Sequence, residues 1–173
     1  MHSAKTERTL QILMAVLLVA LGYVVVGAFH DKVVDAGDKA PDFQITSDSG
    51  RAISRSNFGG RLLVLNFWAT WCPPCIEEMP SLDQFQRRFA NAGVVVAGVS
   101  VDTNEGAYRE LLRKTNVAFL TARDPEARIS SSYGTFKFPE TYIIDNQGKV
   151  LRKIIGPTNW MDPEMVRYIQ SLL

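Results

Sequence analysis

The feature that most narrows the fold is the run from Arg61 to Cys75, RLLVLNFWATWCPPC, in which a largely apolar stretch leads straight into both cysteines of the chain. Arg61 to Trp68 has the length of a strand and reads as a central one buried on both faces. Pro73 to Ala90 has apolar residues at helical spacing, and Gly93 to Val101 (GVVVAGVSV) is a second buried strand candidate. Strand, helix and strand in this order make a right-handed crossover with the two strands parallel. The cysteines therefore stand between the end of a strand and the mouth of a helix.

The remaining pattern fits around that unit. Phe43–Thr46 and Arg51–Ser54 flank the turn sequence SDSG and predict a short hairpin, after which Gly59-Gly60 breaks the chain. Asn104 to Lys114 reads as a helix. Asp124-Pro125 predicts an N-cap and first-turn proline for a short helix ending near Tyr133-Gly134. Thr141–Ile144 and Lys149–Ile155 flank DNQG, the turn chemistry of an antiparallel hairpin, and Asp162-Pro163 opens a C-terminal helix. The expected domain is α/β, parallel in its first half and closed by a hairpin, over residues 41–173.

Ahead of it, Leu10 to Phe29 carries no charged residue, about the twenty apolar residues a helix needs to cross a bilayer. Lys5 and Arg8 precede this run and Asp31, Lys32, Asp35 and Asp38 follow. The positive-inside bias thus predicts a cytoplasmic N-terminus (1–9), a transmembrane anchor (10–29), a tether (30–40) and an exported domain. Val26-Gly27-Ala28 also has the small-residue spacing of a cleavage site. A cleaved signal peptide would deliver the same compartment, but the run is longer than the about 7 to 15 residues of a signal h-region. At a net charge of +1 the chain has no basic field that would suggest nucleic acid.

Three chemistries compete for Cys72 and Cys75. A zinc site needs further ligands, and the only histidines, His2 and His30, flank the apolar run. A purely structural disulfide across so small a loop gives the least stabilisation in the loop-entropy account. Redox catalysis fits the position: unpaired backbone NH groups and the positive end of a helix dipole favour a thiolate at Cys72, with Cys75 one turn on as the resolving thiol. Pro73 and Pro74 suit a first turn but offer no NH, so donors to the Cys72 sulfur begin at Cys75 and Ile76. The expectation is a less stabilised thiolate and a more reducing pair. Cys75, Glu78, Leu82, Phe85 and Phe89 recur at steps of three or four, which places Glu78 on the apolar stripe. A carboxyl there is partly desolvated and able to exchange protons with a thiol, unless it leans out to solvent. Glu77 faces water.

With these motifs assembled, the chain resembles the membrane-anchored thioredoxin-like thiol-disulfide oxidoreductases of bacteria, the TlpA/ResA/CcmG (cytochrome c maturation) family. The resemblance spans about residues 38–173. It implies a thioredoxin fold, a mixed sheet flanked by helices, with an N-terminal β-hairpin extension. It also implies attack by Cys72, resolution by Cys75, and a cis-proline opposite them matched by Pro139 in KFPETYIID. The Phe138 backbone would then pair with a substrate chain, and Trp71 would form an apolar platform. Glu78 matches the active-site glutamate of the cytochrome-maturation branch, whereas Asn66 stands where thioredoxins commonly carry a buried Asp. The implied cofactor is none beyond the redox-active Cys72–Cys75 disulfide. Implied partners are protein disulfides such as apocytochrome c and a membrane thiol-disulfide electron donor, on the outer side of the bacterial cytoplasmic membrane. The same residues would serve a disulfide-forming oxidase. A thiol peroxidase or a non-catalytic docking module is the more distant alternative.

Overall fold

The computed structural model describes residues 2–28 and 33–173 and divides into two compact units. The first is the helix α1, His2–Ala28. Its described apolar side chains from Leu10 to Val24 are exposed, Leu18 at 66% and Val19 at 73%. Among the described residues no helix is long and apolar enough to cross a membrane. Leu10–Val24 amounts to about 22 Å of helix against the ~30 Å of a hydrocarbon core. The side chains of the last part of the expected span and all of residue 29 lie outside the described residues, as does the start of the tether at residues 30–32.

The second unit, Val33–Leu173, starts before the expected boundary at Pro41. Val34 is buried, its NH donates to Tyr133 O at 3.1 Å, the Gly37 NH donates to Val150 O at 2.8 Å, and Lys39 bridges Lys149. Residues 33–40 are thus part of the domain rather than a free tether. The sequence hides this because only Val34 and Ala40 are buried here and much of the docking is by backbone hydrogen bonds.

A two-stranded hairpin, β1 (Gln44–Thr46) and β2 (Ala52–Ser54), precedes a five-stranded sheet. The sheet strands are β3 (Leu62–Trp68), β4 (Val94–Ser100), β5 (Leu120–Arg123), β6 (Glu140–Asp145) and β7 (Val150–Ile155), in spatial order β5-β4-β3-β6-β7. β3, β4 and β5 are parallel, and β6 and β7 run antiparallel to their neighbours. This is the mixed sheet and N-terminal hairpin of the expected thioredoxin-like fold. The helices are α2 (Pro73–Phe89), α3 (Glu105–Thr115), α4 (Arg128–Ser132) and α5 (Pro163–Leu172).

Every residue of β3 is buried. Leu62, Val64 and Trp68 join the core built with α2 and α5, while Leu63, Leu65 and Phe67 join the core under the hairpin with Tyr133 and Tyr142. The period of two therefore turns Asn66 toward α2. The α2 helix buries Cys75, Glu78, Met79, Leu82, Phe85 and Phe89, the stripe expected from spacing plus Met79.

Two local expectations need correction. The short helix does not open at Asp124-Pro125: the Ala127 NH donates to Asp124 O at 2.9 Å to close a turn, Ala127 adopts φ 52°, and α4 starts only at Arg128. The Asp124 carboxylate instead accepts from the Ile129 NH at 2.7 Å, the reach of an acceptor lying one turn early. Strand β5 was not foreseen. Its four residues, LTAR, lack an apolar run, and pairing with β4 supplies what local sequence does not.

Candidate active site

Cys72 is the N-cap residue of α2 and is joined to Cys75 in a disulfide, with Cα atoms 5.3 Å apart. Cys72 keeps 6% of its surface and Cys75 only 1%, so the sulfur at the helix mouth is the one nearer solvent. Pro73 and Pro74 occupy the first helical positions. The two NH groups expected to reach the Cys72 sulfur are engaged elsewhere, since those of Cys75 and Ile76 donate to the Cys72 carbonyl at 3.0 and 3.3 Å. Cys72 makes no side-chain cap bond.

The loop between β3 and α2 is held from β4. The Asp102 carboxylate, 1% exposed, accepts from the Thr70 NH (2.8 Å), the Thr70 hydroxyl (2.6 Å) and the Ser100 hydroxyl (2.5 Å). Sequence reasoning missed this clamp. Its one visible signal was an aspartate immediately after an apolar strand. Trp71, anchored by this loop, is 65% exposed and stands edge-on to Phe138 with ring centroids 5.8 Å apart. Phe138 packs between the two cores, and the Phe138–Pro139 bond is cis. Glu140, the next residue, forms a 2.8 Å ion pair with Lys153 of β7, both side chains nearly buried. The fold thus assembles Trp71, Cys72, Phe138 and Pro139 at one end of the sheet, although they are far apart in sequence.

Behind the disulfide, Glu78 is 4% exposed. Its Oε1 accepts from Asn66 Nδ2 at 2.8 Å and its Oε2 from the Thr158 NH at 3.0 Å; Asn66 Nδ2 also donates to Thr141 Oγ1 at 2.9 Å. Burial pushes the Glu78 carboxyl up to about 7, the hydrogen bonds from Thr158 and Asn66 offsetting part of the desolvation. Glu78 does not lean into solvent, whereas Glu77 is exposed. A carboxyl titrating near neutrality, one helical turn from Cys75, can take up or release a thiol proton.

A disulfide at a helix N-terminus with Cys72 as its less buried sulfur, an aromatic rim and a buried acid behind it suit thiol-disulfide exchange. The sequence signature of the AhpC/TSA family matches residues 36–153. The chain belongs to that family. Within it, the similarity is to thiol-disulfide oxidoreductases of the ResA type. The chain is 33% identical over 147 residues to the thiol-disulfide oxidoreductase ResA of a Bacillus cereus strain, covering 84% of this chain and 85% of that one. It is 31% identical over 146 residues to ResA of Bacillus subtilis (strain 168), covering 83% and 82%. The crystal structure of a chain assigned as the thiol:disulfide interchange protein DsbE from Chlorobium tepidum superposes with a TM-score of 0.73 at 31% identity, over 80% of this chain and 98% of that one. This AhpC/TSA member is a thiol-disulfide oxidoreductase carrying its CxxC at Cys72 and Cys75.

Proposed function

We propose that this oxidoreductase is a reductant of exported proteins, apocytochrome c among them, held by α1 to the outer face of the bacterial cytoplasmic membrane. The observation that carries the direction is the treatment of the Cys72 sulfur. Two prolines remove its nearest donors, and the next two NH groups serve the Cys72 carbonyl. A thiolate with so few donors is less stabilised, which makes the dithiol the better electron donor. The apocytochrome substrate rests on the resemblance to the cytochrome-maturation branch and on the similarity to ResA proteins.

In the forward reaction the Cys72 thiolate attacks one sulfur of a substrate disulfide, forming a mixed disulfide and releasing the other substrate sulfur as a thiolate. Glu78, as carboxylate, accepts the Cys75 thiol proton. The resulting Cys75 thiolate attacks the Cys72 sulfur, so the Cys72–Cys75 bond forms as the bond to substrate breaks. The substrate leaves reduced by two electrons, and a membrane thiol-disulfide donor returns the dithiol. Trp71, Phe138 and Pro139 form the surface on which the substrate chain lies in extended form.

Anchoring by residues 10–29 is supported by the exposed apolar face from Leu10 to Val24 and by the positive charges ahead of it. The test of direction is the reduction potential of the Cys72/Cys75 pair in the full chain in detergent, equilibrated against dithiothreitol. A value toward about -270 mV agrees with a reductant, whereas one toward about -120 mV would make the protein an oxidase. Cys75→Ser should accumulate mixed disulfides with exported proteins in cells, and Cys72→Ser should accumulate none.

A further inference from the structure

Trp160 lies wholly inside the domain, in the segment between β7 and α5. Its ring packs against Phe85 of α2 with centroids 5.4 Å apart, and its backbone NH donates to Ser81 Oγ at 3.2 Å. Ser81 in turn donates to Glu78 O at 2.9 Å. Two residues earlier, the Thr158 NH donates to the Glu78 carboxyl. The 158–160 segment therefore wraps the acid from the side opposite Asn66. Yet the indole Nε1 of Trp160 is buried and closes no hydrogen bond, an arrangement that native interiors rarely tolerate without a purpose. The indole nevertheless already draws the Glu78 carboxyl pKa downward, from a position that falls short of a closed hydrogen bond. The other buried unpartnered indole, that of Trp68, lies over Gly98, whose Cβ-less backbone offers no carboxylate.

We propose that Trp160 is a positioning residue for proton transfer, its indole NH closing onto the Glu78 carboxylate when that group ionises and opening when it takes up the Cys75 proton. This rests on the proton-carrying role proposed for Glu78. The physical reason is an asymmetry. An ionised carboxylate in a buried site offers more acceptor capacity than Asn66 and the Thr158 NH fill, whereas the protonated acid has less need of a third donor. An uncharged donor held in reserve stabilises the base form without a permanent cation, which would hold Glu78 ionised at all times. The groups facing Glu78 agree with this. Cys75 on α2 is held in the disulfide, and β3, β6 and the 157–161 segment present Asn66, Thr141, Thr158 and Trp160, all uncharged. Glu77, exposed, is the other titratable group lining the open groove of about 560 Å³ that reaches Glu78 between α2 and this segment.

The test is the pH titration of the Trp160 indole NH by nuclear magnetic resonance, on the full chain in detergent micelles, read alongside the Glu78 side-chain carboxyl carbon. The indole signal should move with the same midpoint as the carboxyl, and the movement should vanish in Glu78→Gln. Trp160→Phe, which keeps a ring against Phe85, should raise the carboxyl midpoint by about one pH unit, the usual weight of one hydrogen bond to a charged group. An indole signal that stays flat while the carboxyl titrates overturns the proposal and leaves Glu78 its role. A carboxyl that does not titrate between about pH 5 and 9 removes the proton-carrying role itself. Should Trp160→Phe fail to fold, the titration of the unaltered protein still decides.

Discussion

Glu78 is the residue on which chemistry and stability meet. Its carboxyl is raised from an ordinary value of 4.5 to about 7 by burial, so between those pH values the folded state holds a proton that the unfolded chain gives up. The stabilising contribution is thus fully present below pH 4.5 and is lost as the pH rises through 7. Its size is about 3 kcal/mol. Replacing Glu78 by Gln removes the titration, so urea unfolding at about pH 5 and pH 8 should show a smaller loss of stability with rising pH in the variant. The same variant should slow resolution of a mixed disulfide at neutral pH, measured as release of a thiol product from a model disulfide. Gln cannot satisfy both Asn66 and the Thr158 NH as acceptor, so the variant also carries a pH-independent cost of about 1 to 2 kcal/mol.

Between elements, small polar clamps hold the reactive loop. Asp102, just past the end of β4, ties Thr70 to the sheet through three donors. Asp102→Ala leaves those donors without an acceptor in a buried place, and the expected loss is about 3 kcal/mol in chemical denaturation. Asp102→Asn, which keeps one acceptor oxygen, should lose less. Helix ends give a milder comparison. Asp162 caps α5 by accepting from the Glu164 NH at 2.8 Å, and Asp162→Ala should cost about 1 kcal/mol without altering the potential of the cysteine pair.

For the domain as a body, the decisive boundary is its beginning. Fragment 33–173 retains Val34, 4% exposed, together with the backbone bonds from Val34, Gly37 and Ala40 to the 133–150 region. Fragment 41–173 loses them all. The shorter fragment should unfold with about 3 kcal/mol less stability than the longer, from one buried valine and several hydrogen bonds. Equal midpoints in urea would show that residues 33–40 lie on the domain without supporting it. Removing α1 should release the protein from membranes to the soluble fraction while leaving the midpoint of the domain unchanged.

The elements legible in the chain were those with local causes. Apolar runs marked β3 and β4, spacing marked the buried face of α2, and DNQG marked the β6–β7 turn. Asp162-Pro163 marked the start of α5, and two cysteines three apart named the chemistry. Each is a pattern that chain stiffness, helical period or solvent imposes on neighbouring residues. Asp124-Pro125 misled because the same dipeptide also suits a turn, and here the Ala127 NH closes that turn onto the Asp124 carbonyl before the helix starts. Strand β5, the Asp102 clamp on Thr70, the burial of Glu78 beneath Thr158 and the indole of Trp160 join residues that sequence keeps far apart. Sequence alone placed Glu78 on an apolar stripe. Only tertiary structure decided that the stripe closes over it, because desolvation depends on every group that excludes water and not on the helix that carries the acid.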